Sequence, residues 1–152
     1  MAVIRKYNAR TDLKHTARMI REYLLPFTRQ TKPDFSLDNE DIRQRLRHGV
    51  TFVDTNSSGK PCGFIQCEAV NDRLWIHLLA VDESYREKGR GRKLMQMAER
   101  YGRSSGCQWS CLFVDFDNTR AQRFYESLGY SYASTEPSIR CFLYAKPLEH
   151  RV

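Results

Sequence analysis

The stretch Leu79-Ala80-Val81-Asp82-Glu83-Ser84-Tyr85-Arg86-Glu87-Lys88-Gly89-Arg90-Gly91-Arg92-Lys93-Leu94-Met95 runs from an apolar segment through two glycines into a segment of helical period. It reads as a strand leading into a helix. A helix N-terminus carries unpaired N–H groups and about half a positive charge, which suits a phosphate. Gly89 and Gly91 let backbone approach a ligand with no Cβ in the way, and Arg86, Lys88, Arg90, Arg92 and Lys93 add positive charge. Two phosphate loops are excluded by spacing. A Walker loop requires Lys and Ser or Thr after its last glycine, where this chain has Arg92-Lys93-Leu94; a dinucleotide fingerprint requires a small residue at Leu94.

Upstream of the loop, strands are expected over 2–7, 51–54, 62–70 and 74–81, with turns at Asn56-Ser57-Ser58-Gly59 and Asn71-Asp72, giving an antiparallel meander. Between the first two lie two helices. One starts at Asp12, carries Leu13, Ala17, Ile20 and Leu24 on one stripe, and is stopped by Pro26. The other is capped by Asp38, carries Ile42 and Leu46, and ends at Gly49. Downstream, a helix over about 90–103, a strand over 109–116, a helix over 118–128 and strands around 130–133 and 141–146 follow. The unit from 74 to 116 should be a right-handed crossover with parallel strands.

A second motif accompanies the loop: Val114-x-x-x-Asn118-x-x-Ala121-x-x-Phe124-Tyr125-Glu126-x-Leu128-Gly129-Tyr130. Ala121, Phe124, Tyr125 and Leu128 fall at i, i+3, i+4 and i+7, one helix face. Asn118 and Tyr125 lie two turns apart on one side, where an amide and a phenol can address the same elongated ligand. Arg86-x-x-Gly89-x-Gly91 fits the [QR]-x-x-G-x-[GA] motif of the GNAT superfamily, and the Asn118 to Tyr130 segment is similar to that family's fifth strand, fourth helix and sixth strand.

The resemblance implies a single α/β domain over residues 1–152. Its mixed, mostly antiparallel sheet would have parallel, splayed fourth and fifth strands and about four flanking helices. It implies an acetyl-CoA-dependent N-acetyltransferase acting on a primary amine of a small molecule or protein, by direct attack in a ternary complex, with no metal. The backbone of Arg86, Glu87, Lys88, Gly89, Arg90 and Gly91 would hold the pyrophosphate, with Arg92 beside it as a further cofactor-binding residue. The backbone of the Leu79-Ala80-Val81 strand, through Leu79 and Val81, would pair with the pantetheine arm. Asn118 would contact the pantetheine, and Tyr125 would donate a proton to the departing thiolate. The exposed final strands of this family also suggest a homodimer.

The base that accepts the amine proton is less defined. Strict alternation puts Arg73, Trp75, His77, Leu79 and Val81 on one face, and His77 has a suitable pKa. Its position resembles one of the histidines of serotonin-type acetyltransferases. Many members carry a glutamate where this chain has Trp75. Glu68 and Asp115, directly or through water, are alternatives, whereas His15, His48 and His150 show no metal-site spacing. For the acceptor, the resemblance points to about residues 23–38 and 132–142, with Tyr23, Phe27, Phe35, Tyr132 and Phe142 as possible walls and Asp34 and Glu136 as possible attractants.

A net charge of +7 favours an anionic ligand. A basic nucleic-acid-binding module is the weaker alternative, because no aromatic–basic interleave of RNA-binding type occurs. A non-catalytic acyl-CoA sensor of the same fold is the other. Five cysteines without a C-x-x-C pair suggest buried thiols rather than disulfides or zinc. No run of eighteen apolar residues and no signal-peptide pattern appear, so neither a membrane nor nucleic acid is an expected partner and a cytoplasmic protein is expected.

Overall fold

A computed structural model describes residues 3–149; Ala2, the start of the first expected strand, and His150 lie outside the described residues. The strands are β1 (Val3–Lys6), β2 (Val50–Thr55), β3 (Pro61–Val70), β4 (Arg73–Val81), β5 (Trp109–Asp115), β6 (Ser131–Glu136) and β7 (Cys141–Pro147). They form one sheet in the order β1-β2-β3-β4-β5-β7-β6. Every pairing is antiparallel except β4 with β5, as the crossover rule requires. The last strand in sequence is therefore an inner one, inserted between β5 and β6.

The helices are α1 (Ala9–Met19), α2 (Leu25–Thr31), α3 (Asn39–Arg47), α4 (Arg90–Ser104) and α5 (Thr119–Ser127). Two cores result, one on each face of the sheet. Leu94, Met95 and Ala98 of α4 pack on Phe52, Ile65, Ile76, Leu112 and Tyr144, with Ala121, Phe124 and Tyr125 of α5 and its C-cap Leu128 at the margin. On the opposite face, Ala17, Met19, Ile42 and Leu46 from α1 and α3 cover Val53, Phe64 and Ala80.

Three local expectations are corrected. The first helix begins one turn before Asp12, with Asn8 as its cap, because Asp12 is committed elsewhere. Its buried carboxylate accepts both guanidinium branches of Arg5 at 2.8 and 2.9 Å and the Asn8 N–H at 2.7 Å. Desolvation opposes ionisation of Asp12, but these bonds outweigh it and hold the pKa below the usual carboxylate value.

Nor does Pro26 end the helix. Residues Ile20–Leu24 form a π-turn between α1 and α2, and Pro26 lies in the first turn of α2, where its missing N–H costs nothing.

The third correction concerns β4. Gln66 pairs with Leu78 but the next β3 residue, Cys67, pairs with Ile76, so His77 is the extra residue of a β-bulge. The alternation resets there. Leu74 and Ile76 face α4 before the bulge and Leu79 and Val81 face it after, while Leu78 and Ala80 turn to α1. Leu79 and Val81 thus do not share a face with Arg73 and Trp75.

Gly49 connects α3 to β2 at φ +65°, and a Cβ there would overlap the carbonyl of Cys67; Gly59, at φ +84°, has open space around it. Gly59→Ala should cost about 1–2 kcal/mol, the left-handed backbone alone. Gly49→Ala should cost clearly more in urea unfolding, and equal losses would contradict the packing described.

Candidate functional site

β4 and β5 pair only from Arg73–Trp109 to Ile76–Leu112; the remaining β4 residues have no β5 partner. The His77 bulge sits where the ladder stops. Parity then decides which backbone groups face the gap. Asp82 N–H donates to the Cys62 carbonyl at 2.8 Å, so Ala80 and Leu78 direct their backbone groups to β3 and Leu79 and Val81 direct theirs away, toward β5. Ala80, expected with them at the ligand, instead places its side chain in the α1 core and its backbone against β3. The Val81 carbonyl accepts the Nε–H of Arg86 at 2.8 Å, leaving the Val81 N–H and both Leu79 groups for the gap.

Beyond Val81 the chain makes a short 3-10 turn, Glu83–Tyr85, and reaches α4 through Gly89, its N-cap at φ +79°. Glu87 also has positive φ, +63°. Alternation of left-handed and ordinary residues turns successive N–H groups toward one concave side. The amides of residues 87–92 donate no hydrogen bond among the described residues; the first helical bond of α4 is from Lys93 N–H to the Gly89 carbonyl. Such a concave run of undonated backbone N–H groups, here called the amide cradle, suits an anion. Gly91 is small for a packing reason too, since a Cβ there would stand 3.2 Å from Cζ of Phe124 on α5.

The loop's cations do not all point at a ligand. Arg90 donates to the buried Asp54 carboxylate at 2.9 Å and to the Cys62 sulfur at 3.1 Å, with its guanidinium 5.0 Å from the Tyr85 ring. Arg86 lies 4.4 Å over the Tyr23 ring. Tyr23, expected on the acceptor side, is placed by the π-turn to donate to Asp82 at 2.8 Å while accepting the Glu83 N–H, and Arg18 meets the other Asp82 oxygen at 2.6 Å. These bonds pin the start of the loop to the first helix. No sequence pattern links Arg18 or Tyr23 to Asp82 across some sixty positions, and sequence reasoning missed that anchor. Lys88, Arg92 and Lys93 are exposed and make no ion pair among the described residues. Lys88, Arg90 and Lys93 also border an open depression of about 350 Å³ with Ile4, Asp54 and Met97, on the β1 side of α4.

Across the gap stands α5. Asn118 is its N-cap, with Oδ1 accepting the Ala121 N–H at 3.1 Å, so only its amide nitrogen remains to donate. Tyr125 packs edge-on against Phe124 and Tyr130 at centroid distances of 5.3 and 5.9 Å, and its hydroxyl has no partner among the described residues. Desolvation pushes its pKa up, which keeps the phenol protonated.

A match of the acetyltransferase (GNAT) family model covers residues 17–130, which includes the splayed strands, the amide cradle and α5. The chain belongs to the GNAT acetyltransferase family. Over 98 residues it is 36% identical to a mycothiol acetyltransferase of Nocardiopsis dassonvillei, covering 64% of this chain but only 27% of that relative. The chain thus spans about a quarter of that relative's length. The solved structure of Ard1 from Thermoplasma volcanium superposes with a TM-score of 0.82 at 22% identity, covering 98% of this chain and 99% of that one. The PaiA N-acetyltransferase of Thermoplasma acidophilum, in complex with coenzyme A, gives 0.80 at 19% identity, with 97% and 99% covered. Both show a shared GNAT fold.

Of the candidate bases, His77 is exposed on the bulge. Partial desolvation lowers its pKa, with Glu68 opposing and His48 reinforcing. Asp115 is bound into the turn before α5, its Oδ1 accepting the Asp117 N–H at 3.0 Å. On the expected acceptor side, Phe35 lies under Arg45 at 6.0 Å and Tyr132 packs on Phe142 at 5.8 Å. Phe27 is half-buried, Asp34 is exposed, and Glu136 accepts from Ser134 at 3.4 Å.

Arg90→Met should cost on the order of 3 kcal/mol in urea unfolding, because it strands a buried carboxylate at Asp54. Lys88→Met should stay within about 0.5 kcal/mol of the parent. Equal effects would show that Arg90 is not the structural pin of the GNAT loop.

Proposed function

We propose that this GNAT chain transfers the acetyl group of acetyl-CoA to a primary amine. The observation that carries the reading is the run of undonated amides at residues 87–92, at one end of a gap whose wall offers free backbone groups at Leu79 and Val81. A pyrophosphate fits the first and an amide-bearing arm fits the second. With the pyrophosphate against the cradle, an extended arm descends the gap toward the point where β4 and β5 rejoin, and the cofactor supplies an acetyl group activated by a good leaving thiolate. Lys88 and Arg92 add exposed positive charge at the cradle, while Arg86 and Arg90 serve the loop's shape.

The remaining work is proton transfer at the two reacting ends. His77, neutral at physiological pH because its pKa is lowered, accepts a proton from the amine, directly or through water. Tyr125 holds a proton for the sulfur as the carbon–sulfur bond breaks, its free hydroxyl and desolvation making it a donor rather than an anion. The Asn118 amide nitrogen donates to the arm.

Tyr125→Phe should lower kcat about a hundredfold while leaving coenzyme A binding by calorimetry unchanged. With His77 as base, the protonated imidazole is inactive, so kcat/KM should rise with pH through a pKa below the ordinary histidine value and then level. His77→Gln should remove that acid limb. An unaltered limb would take His77 out of the mechanism, and unchanged turnover in Tyr125→Phe would do the same for the phenol.

A further inference from the structure

The sheet face opposite α4 and α5 carries an aromatic pair at the vertex of the gap. Trp75 of β4 and Phe113 of β5 are stacked, with centroids 5.5 Å apart and planes inclined by 18°. Trp75 lies opposite Cys111 in the last stretch of paired ladder, and Phe113 is the first β5 residue beyond Leu112, where pairing ends. On the other side Trp75 lies directly opposite Glu68 of β3, so the carboxylate shares its face. His77 is two residues along, about 7 Å by strand rise, and feels the charge of Glu68. The α1–α3 core covers this face over Val53, Phe64 and Ala80, but not at Phe113, which remains 44% exposed.

A stacked aromatic pair with Phe113 exposed and Trp75 half-buried, and with Glu68 directly across the ladder from Trp75, has the chemistry to hold a cation that carries a flat apolar group. We propose that Trp75, Phe113 and Glu68 form the acceptor's seat, and that the acceptor is an amine bearing an aromatic group a few bonds from its nitrogen. This rests on the acetyl-transfer reading above. The ring lies on the Trp75–Phe113 pair, Glu68 draws the ammonium toward the vertex, and His77 stands within reach of the nitrogen. Tyr125 belongs to the α5 face, so donor and acceptor meet through the gap from opposite sides of the sheet. A free arylalkylamine and a peptide whose first residue is aromatic share this chemistry.

The test compares phenethylamine with butylamine, and a Phe-initiated peptide with the same peptide begun by Ser, using the full chain and acetyl-CoA. The arm in which the aromatic member has kcat/KM about tenfold higher identifies the source of the amine. Trp75→Ala and Phe113→Leu should each erase that preference through KM of the amine, with KM for acetyl-CoA unchanged; the half-exposed Phe113 keeps the test open if Trp75→Ala does not fold. A binding readout separates the two claims. Trp109→Phe leaves Trp75 as the sole tryptophan, and its emission should respond to phenethylamine or the Phe-initiated peptide in the presence of coenzyme A. An emission response without any acetylated product sustains the seat and overturns acetyl transfer. Acetylation with no aromatic preference, or with a preference that survives both substitutions, overturns the seat, as does the absence of both product and emission response.

Discussion

The parting of β4 from β5 is the constraint on which the rest of the structure depends. A strand inside a sheet normally has both rows of backbone groups paired, and leaving one row open in a protein interior is costly unless something else pairs with it. Here the ladder ends at Ile76 and Leu112, beside the His77 bulge, and the Val81 N–H and both Leu79 backbone groups have no strand partner among the described residues. Extra residues in one strand bend it, so the bulge supplies the local cause of the parting. The same bulge resets the alternation, setting Leu79 and Val81 on the α4 core while Trp75 stays on the opposite face. One inserted residue therefore opens the gap, directs its backbone lining and separates the two faces from which it can be approached.

Around the gap, side-chain charge fixes the shape of the loop and leaves its backbone N–H groups undonated. Arg90 is held by a buried aspartate on β2, and Arg86 caps the Val81 carbonyl while resting on Tyr23. Arg18 and Tyr23 both hold Asp82 at the junction of β4 and the loop. With the loop fixed at several points, its free N–H groups are preorganised and need not be ordered when a ligand arrives. On the far side a second buried network ties α4 to the inner strands: Tyr130 donates to Glu99 at 2.8 Å, Lys146 meets the same carboxylate at 2.9 Å, and Ser110 bonds the Tyr130 hydroxyl at 2.6 Å.

Much of this was legible in the sequence where the signal is local. The strand–loop–helix at 79–95, the Asp38 cap of α3 and the start of α5 beside Asn118 all follow from residue type and spacing. What failed depends on contacts between distant residues. Pro26 reads as a stop, but a π-turn ahead of it absorbs the missing donor. Alternation along β4 reads as continuous because a bulge is set by the partner strand, and nothing in Ile76-His77-Leu78 announces it. Arg90 and Tyr23 read as ligand-facing because their partners, Asp54 and Asp82, lie far off in the chain. The stacked pair was invisible for the same reason, since it takes the β4–β5 register to bring Trp75 against Phe113.

In the proposed acetyl-CoA site, the amide cradle and the open edge of β4 hold one extended ligand. Amide hydrogen exchange with and without coenzyme A reads both directly, since backbone N–H groups that gain an acceptor slow their exchange. Binding of one extended ligand should slow exchange at Leu79 and Val81 together with residues 87–92. Protection confined to the depression bordered by Ile4, Lys93 and Met97, or no protection in the loop, would contradict it.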